Sequence, residues 1–144
     1  MADIANLVNY EQEYPVNLEF AGEPVGIKIN VVSFDSERVV KAVRDVAAER
    51  WVDVQASGSD QMTPQQNLEF NRAAERAQLV AAISSWDFGG NSFGELGVDP
   101  ECTEDNKRYL IDHPNARWIR EQLVAKGTAI ENFTNRPKKS SAKK

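Results

Sequence analysis

The stretch TPQQNLEFNRAAERAQLVAAISSWDFGGNSF, residues 63–93, decides how the rest of the chain must be arranged. Thr63 is suited to cap a helix, with Pro64 at the first helical position, and only helix-tolerant residues follow as far as Trp86. The spacing therefore predicts one helix over 64–86. Phe70, Ala73, Ala74, Ala77 and Ala81 form one apolar row, and Leu79, Ile83 and Trp86 a second beside it. A stripe that wide needs other elements to cover it. The run from Asp87 to Gly94 then breaks the helix, because glycine frees the backbone while Trp86, Phe88 and Phe93 supply large apolar area.

Upstream, Val16, Leu18 and Phe20 alternate with polar residues, as do Ile27, Ile29 and Val31, which is the pattern of two half-buried strands. Ala21-Gly22-Glu23-Pro24 between them is short enough to make an antiparallel hairpin, over about Val16–Phe20 and Val25–Val32. At Asp35 the apolar period changes from two to about 3.6. Val39, Val40, Val43, Val46, Ala47 and Trp51 then predict a helix near 36–54, capped by Asp35 or Ser36, with its charged positions in solvent. The polar run 55–61 reads as a flexible connection. Thr103, Glu104 and Asp105 open a short helix near 104–111 containing Tyr109 and Leu110, and Pro114 opens another near 114–126, with Gly127 close to its end.

The expected fold is thus α+β and predominantly helical: an N-terminal antiparallel hairpin packed on about four helices. Residues 1–15 read as a loosely ordered arm, 16–133 as a single domain and 134–144 as a disordered basic tail. The expected core includes Val43, Phe70, Leu79, Ile83, Trp86, Leu110, Ile119 and Leu123. A chain of 144 residues can bury roughly 70% of its unfolded surface without staples.

Charge is distributed unevenly. The net charge is −5, yet Arg136, Lys138, Lys139, Lys143 and Lys144 all follow the last acid, Glu131. Residues 1–135 therefore carry 12 basic against 22 acidic residues, a net of −10. Such a body repels phosphate backbones, which leaves only weak nucleic-acid contact through the tail. With one cysteine, no secretory leader and no long apolar run, the sequence is expected to be cytosolic and without a membrane partner.

Little in the residues points to catalysis. His113 is the only histidine and lacks the paired spacings of a zinc site, so it is read as a helix cap or surface residue. Asp99, Glu101, Glu104 and Asp105 lack the ligand pattern of a calcium loop and are read as helix-start electrostatics. Gly89 to Gly94 follow a helix and lack a phosphate-binding lysine. Ser84, Ser85 and Cys102 show no activating context. No cofactor and no metal are expected. Trp86, Phe88 and Phe93 are the candidate partner-binding residues, with packing in the core as their competing role.

Three segments together resemble a family: Ala21-Gly22-Glu23-Pro24-Val25-Gly26-Ile27-Lys28-Ile29; Val31 to Ser36 leading into a helix; and Trp86, a polar glycine loop and Thr103-Glu104-Asp105-Asn106. A closing phrase of Tyr109-Leu110, His113-Pro114, Trp118-Ile119, Ile130 and Phe133 completes the pattern. It is similar to the tail assembly chaperones of long-tailed, siphovirus-like phages and prophages. The likeness spans roughly residues 16–133 and departs at Val98-Asp99-Pro100-Glu101-Cys102, where a more apolar approach to the helix cap is the family habit. The resemblance implies a non-enzymatic factor in the host cytoplasm that binds the tape-measure protein, with tail-tube subunits as a second partner, and is not kept in the virion. It also implies a longer frameshifted product continuing from about residue 138. A virion component of tail or capsid and a small regulator of a host enzyme are the other classes the sequence leaves open. Oligomeric state is not legible.

Overall fold

A computed structural model of the chain describes residues 4–56, 58 and 62–134. The expected tail beyond 134 lies outside the described residues, as do 57 and 59–61 of the expected flexible connection.

The period-two alternation builds β1 (Tyr14–Phe20) and β2 (Glu23–Val31), paired antiparallel, with Val16, Leu18, Ile27, Ile29 and Val31 buried on one face. The connection is tighter than the four residues expected. Phe20 pairs with Glu23, so Ala21 and Gly22 alone turn the chain, both left-handed at φ 55° and 83°. A two-residue turn of that hand matches the twist of the strands it joins.

The long helix ends earlier than its sequence pattern suggests. Thr63 and Gln66 form a capping box at its start, and α2 runs Pro64–Ala82, with α1 (Glu37–Ala56) alongside. Ile83–Asp87 is instead a third strand, β3, antiparallel to β2, giving the sheet order β1-β2-β3. Ile, Ser, Ser and Trp are mediocre helix formers, and in the strand each finds a partner. Ile83 lies opposite Val31 and Trp86 opposite Ile29. Ser85 Oγ accepts from Asn30 Nδ2 at 2.9 Å, and Ser84 Oγ donates to the Asn30 carbonyl at 3.2 Å.

Thr103 caps α3 (Glu104–Asp112), and a 3-10 turn at Pro114–Ala116 leads into α4 (Arg117–Gly127). α4 packs on β1 and α2, and α3 packs on α2. The architecture is α+β and predominantly helical, with the main core between the sheet and the helices. Leu79, Ile83, Leu110, Ile119 and Leu123 occupy it as expected, together with the fully buried Phe133.

Val43, Phe70 and Trp86 are only half-buried, contrary to expectation, and Trp51 is half exposed. The cause is geometric. Only Val39 of α1 and Leu79, Val80 and Ala82 of α2 join the main core, so the paired helices reach past the sheet and cover mainly one another. The arm is also less loose than expected from Val8 onward. Val8 bridges Thr134, Asn9 N–H donates to the Phe133 carbonyl at 2.6 Å, and Glu11 Oε2 accepts from the Glu37 N–H at 2.8 Å. That carboxylate satisfies one of the amides left over at the start of α1.

Candidate partner-binding cleft

The glycine elbow is a folded loop pinned to the hairpin. Gly89 N–H donates to Asp87 Oδ1 at 2.9 Å and Gly90 N–H to Asp99 Oδ1 at 2.7 Å, while Asn91 Nδ2 donates to the carbonyls of Val25 and Phe88. Gly89 is required twice over: its φ is +58°, and a Cβ there would run into the carbonyl oxygen of Gly26.

This loop sets Phe93 apart from Trp86 and Phe88, the other two aromatic residues of the candidate binding group. Phe88 turns inward, 2% exposed, and belongs to the core. Trp86, across the sheet from Ile29, is half-buried; its ring meets Phe88 edge-on at 5.2 Å and its Nε1–H donates to the Pro100 carbonyl at 2.8 Å. Strand pairing and core packing thus occupy Trp86 and Phe88, while Phe93 lines a cleft.

That cleft is formed by Phe20, Val25, Ile27, Phe93 and Trp118, with Asn91 and Ser92 at its margin, and has a volume of about 350 Å³. Phe20, at the tip of β1, is 56% exposed and packs edge-to-face on Trp118 of α4 at 5.2 Å. Phe93 is backed by His113 at 4.9 Å and Tyr109 at 6.4 Å. Tyr109 Oη accepts from the Glu95 N–H at 3.0 Å, and His113 Nδ1 accepts from the Asn115 N–H at 3.0 Å. His113 therefore stands where a helix-cap histidine was expected. The cleft's wall is held from behind by hydrogen bonds, while its lining is mostly apolar.

Phe20 and Trp118 were not singled out from the sequence. A signal for each existed: Phe20 continues the alternation of Val16 and Leu18 to the residue just before the turn, and Trp118 stands out of register with Ile119 and Leu123.

The other candidate groups have structural roles. Thr103 Oγ1 accepts from the Asn106 N–H at 3.2 Å at the start of α3, beside Glu104 and Asp105. Cys102 is half-buried, and burial raises its thiol pKa, an effect partly offset by Lys107. That favours the protonated thiol, the poorer nucleophile. Among the described residues no three His, Cys, Asp or Glu side chains lie together as a metal ligand set, and no helix is long and apolar enough to cross a membrane. No family model, curated protein or solved structure matches this chain.

Proposed function

We propose that this protein is a non-enzymatic assembly chaperone, of the phage tail kind its sequence resembles, acting in the host cytoplasm. Its partner's apolar side chains dock in the cleft of Phe20, Phe93 and Trp118. One observation carries the reading: a phenylalanine left half in water beside an open cleft walled by two further aromatic rings. Rigid aromatic groups around a small apolar pocket are the usual anchors of protein recognition. The cleft is sized for one or two large apolar side chains, which suits reversible binding to a long, aggregation-prone helical protein better than permanent assembly. In the terms of the resemblance that protein is the tape-measure protein, with tail-tube subunits as a second partner. Affinity-tagged chain co-expressed with the tape-measure protein that the resemblance implies is encoded nearby tests the proposal. Co-purification of the two, with the chain missing from finished particles, is the expected result. No complex, or stoichiometric retention of the chain in particles, would contradict it.

A further inference from the structure

We propose a second binding site: the groove between α1, α2 and α3 takes an amphipathic helix that carries a row of lysines or arginines along one flank. The proposal rests on the reading of the protein as a binder of helical partners and assigns that partner's helix a place and a chemistry.

The groove has a volume of about 620 Å³. Its floor is Ala42 and Val46 from α1 with Ala73, Ala77 and Ala81 from α2, so a helix can approach closely. Its walls are three helices whose backbone groups are bonded within themselves. An extended peptide would find no main-chain partners there, whereas a helix satisfies its own.

Charge on the rims selects which helix fits. On the α1 side Asp45, Glu49 and Asp53 follow at four-residue intervals, forming a line about 12 Å long at 1.5 Å per residue. A helix lying alongside meets that line with its own four-residue repeat. On the opposite rim the cations are already engaged: Arg76 with Asp112 at 2.8 Å, and Arg108 with Glu104 and Asp105 at 3.7 and 3.9 Å. Within the acidic line Lys41 holds Asp45 at 2.9 Å and Arg50 approaches Asp53 at 3.7 Å, while Glu49 has no ion-pair partner among the described residues. Asp45 and Asp53 have side chains 62% and 65% exposed; the Lys41–Asp45 pair is exposed on both sides and the Arg50–Asp53 contact is long, so an incoming row of cations can compete for both carboxylates.

Two synthetic 21-residue helical peptides with the same alanine and leucine stripe test the site, one with Lys at i, i+4 and i+8 on its flank and the other with Glu there. Fluorescence anisotropy against the full chain is expected to show the Lys peptide binding roughly tenfold more tightly, an advantage that shrinks as salt rises. Glu49→Lys, at an exposed position, should cut that advantage several-fold. Ala77→Trp, with its helical circular dichroism unchanged, should abolish binding, and Phe93→Ala should leave it intact. Equal binding of both peptides, binding of neither, or full binding by Ala77→Trp overturns the proposal. So does a dimer of the chain that Ala77→Trp dissolves, which would give the groove to a second copy. Absence of peptide binding while the co-expressed partner still co-purifies would overturn the groove alone and leave the chaperone reading standing.

Discussion

Gln122 closes the open edge of the sheet at Glu19. Its side-chain amide accepts from the Glu19 N–H at 2.9 Å and donates to the Glu19 carbonyl at 2.7 Å, as a neighbouring strand would. β1 is an edge strand, and an uncovered edge is a template for pairing with another chain. Gln122→Ala should lower stability by about 1–2 kcal/mol and promote aggregation. Gln122→Glu, which keeps the acceptor and loses the donor, should also destabilise. Urea midpoints together with light scattering check this; wild-type values for both variants would show that the pair only decorates the edge.

Gly127 owes its identity to packing. The sequence places a glycine near the end of α4, where a left-handed cap is the usual reason. Here Gly127 closes the helix itself, donates no left-handed turn, and lies against the Phe34 ring, while the Phe34 N–H bonds to its carbonyl at 3.0 Å. An added methyl would stand 2.6 Å from Phe34 Cε1. Gly127→Ala should therefore cost about 1–3 kcal/mol despite alanine's better helix propensity. A thermal scan showing stabilisation would contradict the contact.

Position along the α1–α2 pair should set the cost of truncation. Leu79 is 1% exposed at its base, within the main core, whereas Phe70 lies farther out and is half-buried. Leu79→Ala is expected to cost about 2–5 kcal/mol. Phe70→Ala should cost clearly less than the roughly 3–5 kcal/mol of a fully buried phenylalanine. Chemical denaturation giving the reverse order would mean that the distal half is as well packed as the base.

Much of this fold was legible because two periods carry it. The alternation around Val16 and Ile29 and the three-and-four spacing from Val39 onward locate the hairpin and α1, and Thr63 and Thr103 cap the helices they were read to cap. What the local pattern could not show was competition. Ile83 to Trp86 continue a helical stripe in sequence, but β2 lies beside them in space and its unpaired edge claims them as β3. The candidate site suffered for the same reason. With Trp86 placed on a strand and Phe88 inside, Phe93 alone reaches the cleft, and Phe20 and Trp118 join it through contacts between residues about a hundred positions apart.

Cys102 gives the protein an alkaline dependence. Burial raises the folded thiol's pKa above its unfolded value, so the folded state resists forming the thiolate. The stability this contributes is complete below the unfolded thiol's pKa and is lost as pH rises through the folded value. Stability of the wild type should thus fall on the alkaline side more than that of Cys102→Ser, and iodoacetamide should react with native Cys102 more slowly than with the unfolded chain at pH 8. Equal alkylation rates in the two states would contradict the burial effect.

The soluble fraction of the co-expressed long helical partner tests the account most directly. Wild-type chain should keep that partner in the supernatant. A variant that places Asp at both Phe20 and Phe93, at positions exposed or half-buried in the fold, should fold yet leave the partner in the pellet. A partner equally soluble with the cleft variant, or insoluble with the wild type, would contradict the claim that the aromatic cleft serves an assembly chaperone.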